Sequence, residues 1–445
     1  MKYKLTAIYV LAALLMLTAG IYSIFAFTSF QETSRDKDGE MLDEQAQIQL
    51  TFWRNKGTDL ENQAYEELVA DFNKEHPTIE VKMIPIPYGD YELKLRTEMA
   101  AGDPPDILTI DTPTLALYAS AGGLMSLDDY MRQEGHIEDL AAPTLKGITY
   151  EDEIYLSPIA ESSVALFYNI HLFEKAGVPL PSKNPHDPLT WDEVLEAAKK
   201  ISALAPDITG IDPAQGFPDG ESPSYFKMPI LWQFGGDVLD QDNQTASGYL
   251  NSPASLRALQ FYQDLYQKHR VAKVELPEEA LETDKLGMTV LGSWMVESLS
   301  MMNPDFRLGE DFGITALPKG SEQAVPNGGW SLGISSETDY PDEAWEFIQY
   351  VTSFEGAKKY VEITGDVPAR YSVAEAFPEF NEYPKNIFVE QAQKYSRNRP
   401  ITPAYPVVSE AVKTLFEDVG IGGKDVKTSA DEAVRTINEE LNDLE

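Results

Sequence analysis

The chain has 445 residues, with 73 acidic against 35 basic side chains, a formal net charge of −38 and no cysteine. That length exceeds one ordinary core, so two or more domains are expected. The charge repels nucleic acid and anionic lipid, and the lack of thiols excludes disulfides, Cys-ligated zinc and thiol catalysis.

Lys2 and Lys4 precede an uncharged run from Leu5 to Phe27. A basic start followed by an apolar core is an export signal. The run approaches the ~20 residues that span a bilayer, and no small-x-small cleavage site follows it. Residues 1–30 are therefore expected to stay as a membrane anchor, with Lys2 and Lys4 inside and the rest of the chain outside. Residues 31–47 are polar and read as a tether.

From Ile48 the chain alternates. Ile48–Phe52 reads as a strand. Asn62–Glu75 reads as a helix, with Tyr65, Leu68, Val69 and Phe72 at helical spacing and His76-Pro77 as its stop. Ile79–Ile86 reads as a strand. Asp90–Ala101 is a helix, ended by Gly102 and Pro104-Pro105. Ile107–Ile110 is a short continuous apolar run, as expected of a parallel strand buried on both faces. This is the grammar of an open, doubly wound α/β sheet.

Further on, Tyr155–Ala160 leads into the β-prone Glu161–Tyr168. Thr190-Trp191-Asp192-Glu193 is a capping box opening a helix through Leu204. Phe234–Thr245 reads as two short strands around an Asp/Asn turn. Pro253–His269 is an amphipathic helix. Met288–Leu291, Phe312–Leu317 and Gly328–Ser335 read as strands. Pro341–Val351, Pro406–Asp418 and Thr428–Asn442 read as helices.

Ligands of open α/β sheets sit beyond the carboxyl ends of the strands. The residues found there are Trp53, Arg54 and Asn55 after the first strand, Tyr88 after the second and Asp111 and Thr112 after the third. Gly292-Ser293-Trp294 follows Met288–Leu291, and Trp330 sits beside Gly328-Gly329. Trp232 also falls outside the expected regular elements, whereas Trp191 and Trp345 are expected in the core. Flat rings suit the apolar faces of a sugar, and carboxylates and arginine suit its hydroxyls. Asp111 has a plainer reading, as the cap of a helix from Thr114. Arg370 is either a ligand group or a solvated loop cation. Glu161 is the single acid at the entry to an apolar strand. A buried carboxylate must be paired or hydrogen-bonded, so Glu161 is expected to face a polar cleft where one lobe passes to the next.

The order and spacing of several stretches resemble one family: Tyr65–Pro77, Pro104-Pro105-Asp106-Ile107, Phe167-Tyr168-Asn169, Thr190–Glu193, Gly292-Ser293-Trp294, and Phe312–Pro318 followed by Gly328-Gly329. The chain from Ile48 onward resembles bacterial extracellular solute-binding proteins of the sugar-binding, maltose-binding-protein-like cluster, which serve ABC importers. The resemblance implies a two-lobed periplasmic-binding-protein-like fold. The first lobe would take residues 48–160 and 333–365, and the second 161–332 and 366–445, with hinge strands near Ala160 and Ser331–Ile334. It implies ligand contacts at Trp53, Tyr88, Asp111, Glu161, Trp294 and Trp330. Arg54, Trp232, Gly329 and Arg370 complete the candidate set. It also implies a carbohydrate ligand, permease subunits as partners, a monomer, an extracytoplasmic location and no cofactor. Relatives in single-membrane bacteria usually carry a lipobox cysteine, which this chain lacks, so the Leu5–Phe27 segment would replace the lipid.

Two alternatives remain at this point. Asp111 and Glu161 could serve a glycosidase, or the chain could present sugar to a membrane sensor. Gly329-Trp330-Ser331-Leu332-Gly333 matches a nucleophile elbow, but all five histidines lie upstream of Ser331. Asp240–Gln244 is like a calcium loop, but Thr245 stands where the glycine belongs.

Overall fold

Helix Asp59–Glu75 begins where Thr58 accepts a hydrogen bond from the backbone N–H of Glu61, three residues earlier than the apolar spacing alone indicates. Its buried stripe of Ala64, Tyr65, Leu68, Val69 and Phe72 packs on a sheet. The computed structural model describes residues 47–213 and 220–444. The expected anchor and the tether up to residue 46 lie outside the described residues. Among the described residues, no helix is long and apolar enough to cross a membrane.

The first sheet has five strands in the order Ile79–Pro87, Ile48–Lys56, Ile107–Asp111, Trp330–Ile334, Ser157–Pro158. The first three run parallel. Ile107–Asp111 is wholly buried, as its continuous apolar run predicts. Trp330–Ile334 returns antiparallel beside it, and Ser157–Pro158 pairs antiparallel on its far side. Helix Pro341–Thr352 closes the core, with Phe347 5.4 Å from Phe52 and 5.1 Å from Phe72 between ring centres.

The second sheet orders Phe312–Ala316, Val164–Asn169 and Met288–Gly292, each antiparallel to its neighbour. Every residue of the three strands is buried. Helices Trp191–Ser202, Ser222–Gln233, Pro253–Gln267, Tyr405–Phe416 and Val426–Asp443 share the core beside it. The capping box forms as read: Thr190 Oγ accepts from Glu193 N, and Glu193 Oε2 accepts from Thr190 N. Trp191 and Trp345 are both buried core residues, 3% and 4% exposed.

One expectation needs correction, and one helix was not anticipated. Phe234–Thr245 holds no strands. Asp240 folds it into a turn, its carboxylate accepting from the backbone N–H groups of Gln244 and Thr245. Just before it lies a helix that the pattern did not reveal, Ser222–Gln233. Pro223 through Gln233 are all buried, so no polar stripe marks a period, and Pro229 lies inside it.

The chain passes between the two cores at short links. Ala160–Glu161 pairs antiparallel with Val367–Pro368. Val325–Pro326 pairs with Ser396–Arg397, and four residues later Trp330 enters the first sheet. Ala369, Val373 and Phe380 pack in the first core, whereas Ile387 and Phe388 pack with the strands of the second sheet.

Candidate functional site

A cavity of about 400 Å³ lies where the two cores meet. Residues from both line it: Tyr88, Asp111 and Trp330 from the first, and Tyr225, Phe226 and Trp294 from the second. Glu161 and Gly329, on the links, complete the contact between them. Six of the ten expected site residues therefore converge here.

Strand geometry explains the convergence. Trp330 is the register partner of Asp111, so the end of one strand and the start of its neighbour present their side chains together. Trp330 stands edge-on to Tyr91 and Tyr88, at 5.4 and 6.1 Å between ring centres. Trp294 follows strand Met288–Gly292 and lies 6.3 Å from Tyr225 and 6.4 Å from Phe226. Its ring lies over Gly292, where any β-carbon would sit 2.2 Å from it. A β-carbon on Gly329 would come 2.8 Å from the Ala160 carbonyl oxygen, so that glycine lets two links touch.

The other four expected residues lie elsewhere. The first strand continues to Lys56 and does not stop at Phe52, so Asn55, Lys56 and Gly57 reach the cavity in place of Trp53 and Arg54. Trp53 packs against the first core with the Lys94 ammonium 4.5 Å from its ring. Arg54 is fully buried, donates to Glu61 at 2.8 Å and Asn62 at 2.9 Å, and stacks on Tyr65. Trp232 is a core residue of a helix, its Nε1 donating to Asp237 at 3.0 Å. Arg370 is no solvated cation: it is 4% exposed and donates to the carbonyl oxygens of Thr352 and Gly135.

Asp111 does not cap a helix with its side chain. Arg399 takes both of its oxygens, Nη2 to Oδ1 at 2.8 Å and Nη1 to Oδ2 at 3.1 Å. The same guanidinium donates to Glu221 at 2.8 Å and lies 5.0 Å from the Tyr225 ring centre. Glu221 also accepts from the hydroxyls of Tyr405 and Ser409. An Asp111 so held is a poor partner for Glu161 in acid–base work, because general catalysis needs a group free to exchange a proton.

Four buried polar atoms of the lining residues have no hydrogen-bond partner among the described residues: Glu161 Oε2, Ser293 Oγ, Asp366 Oδ1 and Arg399 Nε. Burial pushes the Glu161 carboxyl up to about 7, against the pull of the Thr144 hydroxyl and the Gly328 backbone. Asp366 is also pushed up to about 7, by burial first and then by Glu61, although Tyr360 donates to it at 3.2 Å.

Residues 57–358 match the family model of the bacterial extracellular solute-binding proteins. The chain belongs to this family. The solute-binding protein is similar to the multiple sugar-binding protein of Streptococcus mutans, 21% identical over 370-odd positions that cover 80% of this chain and 83% of that one. It is 26% identical to the sn-glycerol-3-phosphate-binding protein UgpB of Brucella abortus, covering 88% of this chain and 93% of the relative. A solved ABC transporter solute-binding protein of Thermotoga lettingae, bound with α-D-tagatose, superposes with a TM-score of 0.77 at 26% identity, over 88% of this chain and all of that one. The fold of the solute-binding protein is the two-lobed one that the resemblance implies.

Sequence reasoning missed Arg399, Glu221, Tyr225, Ser293 as a side chain in its own right, and Asp366. Arg399 lies in a loop after strand Ser396–Arg397, and Glu221 is the N-cap residue of a helix, positions of the kind that carry sites. Nothing local marks Arg399 as the partner of a strand end 288 residues away.

Proposed function

We propose that this protein binds a sugar or short oligosaccharide in the cavity and delivers it to the permease subunits of an ABC importer. The carrying observation is the pairing of aromatic rings with unsatisfied polar atoms in one lining: Trp330 and Tyr88, Trp294 and Tyr225, together with Glu161, Ser293 and Asp366. Rings cover the apolar faces of a pyranose, and the unpaired oxygens accept its hydroxyls. The sugar ligands named for the Streptococcus and Thermotoga relatives support this reading. The glycerol phosphate named for UgpB fits less well, because carboxylates line the cavity.

In this reading the lobes divide near Ala160, near Ser331–Ile334 and near residue 365. Ligand contacts from both lobes favour the closed arrangement over the open one. The protein acts as a monomer outside the cytoplasmic membrane, held there by the Leu5–Phe27 segment. Amino-terminal sequencing of membrane-extracted protein tests the anchor, and a start near Ser29 or Gln31 would show cleavage instead. A thermal-shift screen of the full-length protein with monosaccharides and oligosaccharides tests the binding. A stabilising sugar recovered unchanged is expected, whereas hydrolysis of it would point to an enzyme.

A further inference from the structure

The cavity lining carries five carboxylates and two cations, Lys56 and Arg399. Asp111 and Glu221 share Arg399, and Glu61 is held by Arg54 from behind the wall at 2.8 Å. Glu161 and Asp366 are left, and among the described residues neither makes an ion pair. Asp366 is only 9% exposed, and its Oδ1 has no partner. Lys385, the cation that acts on it, is engaged by Glu297 at 3.4 Å and Glu379 at 4.0 Å. Lys56 is exposed, so its charge is weakened by water. Four helices start at the cavity lining, and each carries an acid of the chain itself at its amino-terminus: Glu61, Asp90, Glu221 and Glu297.

A buried carboxylate without a cation either takes up a proton or waits for one from outside. A ligand anion placed beside two such groups meets repulsion in a medium where charges are poorly screened. A ligand ammonium supplies the missing partner in a charge-assisted hydrogen bond. We propose that the cleft, if it is the sugar site described above, selects by charge: it takes saccharides without an anionic group, prefers an amine-bearing sugar to its neutral counterpart, and uses Glu161 and Asp366 to do so. Both residues are specificity-determining in this assignment.

The test is calorimetric titration of the full-length protein with three matched series, the glucose, galactose and mannose families. Each is offered as the neutral hexose, the 2-amino-2-deoxyhexose and the hexose 6-phosphate, at pH 7. The expected order within the binding series is amine, then neutral, then phosphate, with the phosphate weaker than the neutral sugar by about tenfold or more. Asp366→Asn should shrink the amine-over-neutral ratio several-fold, and Glu161→Gln supplies the same readout should the Asp366 variant fail to fold. A phosphate that binds as well as the neutral sugar, or an amine that binds no better, overturns charge selection and leaves the sugar reading intact. If no member of any series binds while non-carbohydrate solutes do, the sugar reading itself fails, and the charge assignment falls with it.

Discussion

Arg399 holds both carboxylate oxygens of Asp111, at the end of strand Ile107–Asp111, at 2.8 and 3.1 Å. The pair is buried, 2% and 9% exposed at the side chains, and Glu221 shares the guanidinium. A bidentate fork fixes direction as well as distance. The contact therefore fixes the Arg399 guanidinium against the strand end in the lining of the cavity.

Replacing that guanidinium tests the contact. Arg399→Met should strand two buried acids and cost about 3 kcal/mol or more of stability at pH 8. Burial already raises the Glu221 carboxyl against the pull of Arg399, and the variant removes that pull. The deficit should shrink as the pH falls and Glu221 protonates. Urea melts at pH 8 and pH 5 check this, and an equal deficit at both values would show that lost packing, not charge, is the cause.

Glu161 gives the opposite sign. Its folded pKa stands above the unfolded value, so its contribution to stability is fully present below about 4.5 and is lost as the pH rises through about 7. No ion pair holds it among the described residues. Glu161→Gln should therefore make the ligand-free protein more stable at pH 8, by up to about 3 kcal/mol, with the two curves converging near pH 4. The same variant should bind sugar several-fold more weakly. A lower ligand-free melting temperature at pH 8 with unchanged affinity would make Glu161 scaffold.

Much of the first lobe was legible, because its parallel strands and amphipathic helices each carry their own period. The buried run of Ile107–Asp111 and the stripe of Tyr65, Leu68 and Phe72 needed no tertiary information. Ser222–Gln233 was illegible for the converse reason, since a helix buried all round shows no stripe. In the site, strand ends led to Tyr88, Asp111, Trp294 and Trp330. The same logic misplaced Trp53 and Arg54, because the first strand runs four residues past Phe52 to Lys56. Arg399 and Asp366 reach the cavity from loops, and only the tertiary fold brings them there.

Arg370 separates scaffold from site. Its guanidinium satisfies the Thr352 and Gly135 carbonyl oxygens inside the first lobe, away from the cavity. Arg370→Ala should cost about 3 kcal/mol of stability, since it leaves buried acceptors unpaired, with the sugar affinity of the folded fraction unchanged. Denaturant melts and calorimetry on the same preparation check both halves, and a weakened affinity without loss of stability would bring Arg370 back into the site.

The central claim is that a saccharide sits between the aromatic walls, and Trp294 is the wall residue best placed to decide it. Calorimetric titration of Trp294→Ala with the sugar found by screening measures this directly. The account predicts a folded variant that binds more weakly by roughly 1–4 kcal/mol. A folded variant with the affinity of the unaltered protein would contradict it.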